Sequence, residues 1–170
     1  MSQDWRRGTL KLFTIEIPDA RQQEVLGGMI SADAPSSFIV YLEGDLGAGK
    51  TTLVRGFLRG LGYRGNVKSP TFTLLEPYEL GDRSIYHLDL YRLADPGELE
   101  YLGLRDLLST DATLLIEWPE QGRGMLPNAD IIVDIGYRDE GRTLEFRSCS
   151  AEGERLLGLL SARLRDKVNI

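Results

Sequence analysis

The stretch Phe38-Ile39-Val40-Tyr41-Leu42-Glu43-Gly44-Asp45-Leu46-Gly47-Ala48-Gly49-Lys50-Thr51-Thr52 decides how this chain is read. It opens with a continuous apolar, β-favouring run, the pattern of a strand buried on both faces. Beyond it Leu53, Val54, Phe57, Leu58 and Leu61 recur at helical spacing, and Gly62 marks the stop. Between strand and helix, Gly44 to Thr51 fits GxxxxGK[ST], the phosphate-binding loop. A chance match in a chain of ordinary composition and this length arises roughly once in a hundred chains or less. The residue types follow from the task. Triphosphate oxygens need many donors in a small space, and backbone N–H groups converge only where side chains do not obstruct them. Gly44, Gly47 and Gly49 provide that freedom. Asp45, Leu46 and Ala48 add loop amides, and the helix entered through Thr52 offers its unpaired N–H groups and dipole. Lys50 reaches for the β- and γ-phosphates, and the Thr51 hydroxyl is placed to ligate Mg²⁺.

Outward from the loop, strands and helices alternate. Thr9 to Ile17 reads as a strand with Leu10, Leu12, Ile15 and Ile17 as its apolar series and Phe13 as the exception. Asp19 and Gln22 form a capping-box start for a helix running towards Ile30, weakened by Gly27-Gly28. Asn66 to Phe72 is a loop. Ser84 to Leu90 alternates, with Tyr86, Leu88 and Leu90 on one face and Ile85, His87 and Asp89 on the other. Asp95-Pro96-Gly97-Glu98 starts a helix whose buried side is Leu99, Leu102, Leu107 and Leu108. Leu114-Leu115-Ile116 is a buried strand ending at Glu117-Trp118-Pro119. Ile131 to Ile135 and Thr143 to Phe146 are strands joined by a turn through Asp139-Glu140-Gly141. Glu152 to about Lys167 is an amphipathic helix with Leu156, Leu159, Leu160 and Leu164. The pattern predicts one α/β domain over residues 1–170, P-loop NTPase-like, with a central, mostly parallel sheet flanked by helices.

Composition bounds the function. With 20 Lys+Arg against 26 Asp+Glu the net charge is −6, which argues against a dedicated nucleic-acid binder. A single cysteine, Cys149, and a single histidine, His87, exclude an internal disulfide and a multi-histidine or cysteine-based metal centre. No apolar run approaches the roughly 20 residues of a membrane span. Met1 to Arg7 leads into alternating residues, without a signal-peptide apolar region. The expectation is a cytoplasmic protein of a reducing compartment.

A phosphate loop also needs a carboxylate near Mg²⁺. Asp89 and Glu117 each end an apolar strand, and in a parallel sheet ligands gather at the carboxyl ends of strands. Thr71 lies in a Pro-containing loop that suits a γ-phosphate-sensing switch. Lys68 is either a phosphate counter-charge or a solvated lysine. A lone histidine such as His87 is ordinarily structural, and Arg55 and Arg59, four apart, ordinarily form a solvated face. None of the four lysines (Lys11, Lys50, Lys68, Lys167) sits in an N-K-x-D guanine-reading motif, and no D-x-x-G follows Asp89. Adenine is therefore the default base.

Gly44 to Thr52, Val67-Lys68-Ser69-Pro70-Thr71-Phe72, His87-Leu88-Asp89-Leu90-Tyr91-Arg92 and Ile116-Glu117-Trp118-Pro119 occur in that order. Together they resemble the TsaE (formerly YjeE) family, from about Pro18 to the C-terminal helix. The resemblance implies a P-loop fold with an unusual strand arrangement and Mg²⁺-dependent ATP hydrolysis that is weak in isolation. It also implies work with TsaB and TsaD, in which TsaD transfers a threonylcarbamoyl group from its adenylate to N6 of adenosine at position 37 of ANN-decoding tRNAs. The TsaE-like protein binds the TsaB–TsaD pair and resets it between turnovers, meeting tRNA only through the complex. By the same resemblance Thr51 and Glu117 match Mg²⁺ ligands, Asp89 a Walker-B-like carboxylate that supports the metal or orients the attacking water, and Thr71 the switch-like loop. Trp118 matches a tryptophan near the active site and Arg142 a position approaching the nucleotide. Asp19–Ala20 matches part of the adenine environment, where Ala20 offers only backbone or packing contact. The rival readings are a small-molecule P-loop kinase and a nucleotide-gated binding module. A kinase needs an arginine-bearing lid, and Glu120 to Asp130 contains only Arg123.

Overall fold

Strand β2 (Phe38–Gly44) runs through the middle of a seven-stranded sheet because its side chains are apolar on both faces. The computed structural model describes residues 12–168. Element order is β1 (Leu12–Ile17), α1 (Ala20–Asp33), β2, α2 (Lys50–Gly60), β3 (Leu75–Leu80), β4 (Arg83–Asp89), α3 (Glu98–Tyr101), α4 (Leu104–Leu108), β5 (Ala112–Glu117), a 3₁₀ turn (Pro119–Gly122), β6 (Ile131–Arg138), β7 (Gly141–Ser148) and α5 (Ala151–Val168). Across the sheet the order is β1-β7-β6-β2-β5-β4-β3. The four central strands, β6, β2, β5 and β4, are mutually parallel. Antiparallel pairings close both sides, β3 on β4 at one and, at the other, the β6–β7 hairpin with the first strand, β1, added to β7.

Two layers sandwich the sheet. Helices α1, α2 and α5 bury Leu26, Phe57 and Leu156 against Val40, Leu115 and Phe146. On the opposite face Leu99 and Leu104 of α3 and α4 cover Leu88, Leu114 and Ile116. Each such side chain, taken fully out of water, contributes about 1.5–3 kcal/mol. The alternation in β4 has the predicted sense: Ile85 joins the first layer, and Leu88 and Leu90 the second.

Local chemistry explains where elements depart from the sequence reading. Helix α1 starts as expected, with the Gln22 N–H donating to Asp19 Oδ1 at 2.8 Å. It then runs straight through Gly27-Gly28 to Asp33. There the glycines serve helix packing: a Cβ on Gly27 would lie 2.3 Å from the Leu53 carbonyl oxygen of α2, and one on Gly56 of α2 1.9 Å from that of Glu24. In β1 the apolar series is Phe13, Ile15 and Ile17, while Leu12 is the exposed exception. Phe13 stacks on Phe146 with ring centroids 4.8 Å apart, and the predicted residues Thr9 to Lys11 lie outside the described ones. The single helix expected after Asp95 is two short helices, broken at Gly103 in a left-handed turn with φ of +73°. Leu108 is consequently exposed. Strand β3 was not foreseen, because Pro77 interrupts it; as an edge strand it tolerates the missing N–H. In α5 the buried leucines are Leu156, Leu157 and Leu160, and Leu159 is exposed.

Candidate nucleotide site

Gly44 to Thr51 leaves β2 and enters α2 at the carboxyl edge of the parallel strands. The chain turns through positive φ at Gly44 (+139°), Gly47 (+79°) and Gly49 (+109°), conformations that L side chains rarely adopt. The loop is braced from outside. The Gln23 Nε2 donates to the Gly49 carbonyl at 2.7 Å, the Tyr137 hydroxyl to that of Leu46 at 2.8 Å, and the Arg142 Nε to that of Ala48 at 3.0 Å. The Arg142 guanidinium also lies 4.3 Å from the centroid of the Tyr137 ring.

Inside, Lys50 is buried, with Nζ donating to the carbonyls of Gly44 (2.6 Å) and Asp45 (2.9 Å). It also sits 4.3 Å from the centroid of the Trp118 ring, in cation–π range. Burial pushes its ammonium below the usual lysine range, and the Glu117 and Asp89 carboxylates pull the other way. The Thr51 hydroxyl donates to Glu117 Oε1 at 2.7 Å. The same oxygen lies 3.0 Å from His87 Nε2. Asp89, buried at the end of β4, accepts from the Ser69 hydroxyl, from the Thr71 hydroxyl at 3.3 Å and from the Tyr91 N–H at 3.0 Å. Register places Asp89 directly beside Glu117.

These groups face one cavity of about 460 Å³. Of the residues singled out in the sequence, Leu46, Gly47, Gly49, Lys50, Thr51, Thr52, Thr71, Asp89, Glu117 and Trp118 line it, joined by Ser69, Tyr91 and Arg92. Gly44, Asp45 and Ala48 form the loop behind this lining, where two of them hold Lys50 by their carbonyls. Arg142 braces the loop from outside the lining. Ala20 is exposed, one turn before Gln23 on α1. Lys68 is exposed and does not line the cavity. Arg55 and Arg59 are half-buried and stitch the following loop, donating to Val67, Tyr63 and Gly65 carbonyls.

Gln23, Ser69 and Tyr137 had no sequence role. Gln23 is a polar residue inside the buried stripe Gln23-Leu26-Gly27-Ile30, and that misfit was its signal. Tyr137 pairs across the β6–β7 hairpin with Arg142, so the predicted turn at Asp139–Glu140 would have placed them together.

The oxygen set of Thr51, Asp89 and Glu117 suits Mg²⁺, which takes few protein ligands and keeps water and phosphate oxygens. A hydroxyl and two buried carboxylates open on one cavity; no cluster of three acidic, histidine or cysteine ligands occurs among the described residues.

A family model described as "Threonylcarbamoyl adenosine biosynthesis protein TsaE" matches residues 17–144. The chain belongs to the TsaE family. A relative in Haemophilus influenzae, a "tRNA threonylcarbamoyladenosine biosynthesis protein TsaE", is 51% identical over 133 residues, covering 78% of this chain and 84% of the relative. A TsaE of Bacillus subtilis is 36% identical over 141 residues, covering 82% and 88%. The crystal structure of Bacillus subtilis YdiB superposes with a TM-score of 0.79 at 29% identity, over 92% of this chain and 98% of that one. This TsaE-family chain is a P-loop ATPase with the α/β architecture read from its sequence. Among its described residues no helix is long and apolar enough to cross a membrane.

Proposed function

We infer that this protein is the ATP-binding and ATP-hydrolysing TsaE component of tRNA N6-threonylcarbamoyladenosine synthesis, acting in the cytoplasm with TsaB and TsaD to sustain multiple turnover. The observation that carries the reading is the meeting of Lys50, Thr51, Asp89 and Glu117 in one cavity. Lys50 and the loop amides hold the phosphates. Thr51 and Glu117 hold Mg²⁺ directly or through water, and Asp89 supports it or orients the attacking water. When bound there, Mg²⁺ neutralises phosphate charge as it develops. Catalysis is positioning plus charge stabilisation. Thr71, hydrogen-bonded to Asp89, is the group by which the loop before β3 senses the γ-phosphate. Arg142 keeps the amides aimed by fixing the Ala48 carbonyl outward.

The kinase alternative lacks equivalent support, since no residue from 120 to 130 lines this cavity. Phosphate release from Mg-ATP in the presence of TsaB and TsaD tests the proposal. Release well above a Lys50→Ala control is expected, and equal release would overturn it.

A further inference from the structure

We propose that His87 is a positioning residue that fixes the Glu117 carboxylate through a buried Nε2–H hydrogen bond, an assignment that rests on the metal-side role of Glu117. His87 lies in the middle of β4 and is fully buried. Its backbone pairs with Leu115, so Glu117, two residues further on β5, is its diagonal neighbour on the same sheet face. Nε2 lies 3.0 Å from Glu117 Oε1, and Nδ1 is buried without a hydrogen-bond partner among the described residues. A carboxylate oxygen accepts only, so the proton sits on Nε2 and the bare lone pair of Nδ1 faces the interior. The opposite tautomer would oppose two acceptors and bury an N–H with nothing to receive it.

The consequence falls on Glu117. Oε1 takes two donors, the Thr51 hydroxyl at 2.7 Å and the imidazole, one from α2 and one from β4. Oε2 takes none among the described residues, and Glu117 lines the cavity. The carboxylate is thereby held with one oxygen occupied and the other presented. A leucine would fill much the same space but offers no donor to Oε1. Partners of this kind beyond the metal ligands themselves typically change metal affinity by about 10–100-fold when removed.

The experiment compares the full chain with His87→Gln, His87→Asn and His87→Leu. A glutamine amide nitrogen reaches the place of Nε2, whereas an asparagine amide reaches only that of Nδ1. Affinity for a fluorescent ADP analogue is measured with Mg²⁺ and with EDTA, alongside thermal melts and the Mg²⁺ dependence of ATP hydrolysis. His87→Asn and His87→Leu are expected to lose about tenfold of the Mg²⁺-dependent gain in affinity while binding in EDTA stays within about twofold; His87→Gln retains the gain. Equal gains in all three variants, or a glutamine variant as impaired as asparagine, would overturn the proposal. A parent chain with no Mg²⁺-dependent gain, matched by Glu117→Gln, would instead overturn the Glu117 reading and remove the ground for His87. Should the leucine variant fail to fold, the glutamine–asparagine contrast still decides.

Discussion

Lys50 shows how much one side chain carries. Its ammonium ties the start of α2 back to the start of the loop through the Gly44 and Asp45 carbonyls, and sits over the Trp118 ring. Lys50→Ala removes both the phosphate charge and the internal tie. ATP affinity is expected to fall at least about tenfold in calorimetric titration, given roughly 1.5–3 kcal/mol for hydrogen bonds to a charged group. Away from the site, burial pushes the Tyr41 hydroxyl, which donates to the Pro127 carbonyl, up to about 12. The unfolded chain gives up this proton near pH 10. The folded state thus keeps it longer, and the associated stability, intact below about pH 10, is lost as pH rises towards about 12. Urea unfolding over that window should show a shallower alkaline decline in Tyr41→Phe than in the parent. Burial also raises the Cys149 thiol, so iodoacetamide at pH 8 is expected to alkylate it several-fold more slowly than a free thiol, read by mass spectrometry.

Among the elements, the α1–α2 seam leaves no room for a side chain. The Cβ of an alanine at Gly56 would meet backbone, which cannot swing aside as a side chain tip would. Gly56→Ala should therefore cost at least about 2 kcal/mol in urea unfolding, although an exposed helix would gain from the same change. That seam also marks what the sequence could and could not convey. Local pattern located several elements: alternation gave β4, helical spacing α2 and α5, unbroken apolar runs β2 and β5, and a capping box the start of α1. It could not reveal that Gly27 and Gly56 face each other's helices, since proximity between segments leaves no local trace. Strand β3 was illegible because its Glu-Pro-Tyr core has neither alternation nor β-branched residues; pairing with β4 supplies its order. The split between α3 and α4 was legible in principle at Gly103, yet Leu102 and Leu107 continued the helical spacing across it.

At the scale of the whole molecule, parallel strands deliver the separate motifs to one edge. Asp89 and Glu117, 28 positions apart, become direct neighbours because β4 and β5 pair in register. The gathering itself was foreseeable from strand-end carboxylates beside a phosphate loop. The bracing by Gln23 and Tyr137 was not, because it depends on α1 and the β6–β7 hairpin arriving from opposite ends of the chain. The net charge of −6 argues against a dedicated nucleic-acid binder. In a pull-down, retention of TsaB and TsaD is expected to depend on ATP, and tRNA retention to require both partners; tRNA held by the isolated chain would contradict this. The glycine seam has a consequence for anyone ranking positions by tolerance to substitution. Gly27 and Gly56 will score as badly as Gly47 and Gly49, yet neither lines the cavity. Intolerance there measures the clearance between two backbones, so a mutational survey would draw the functional site larger than it is.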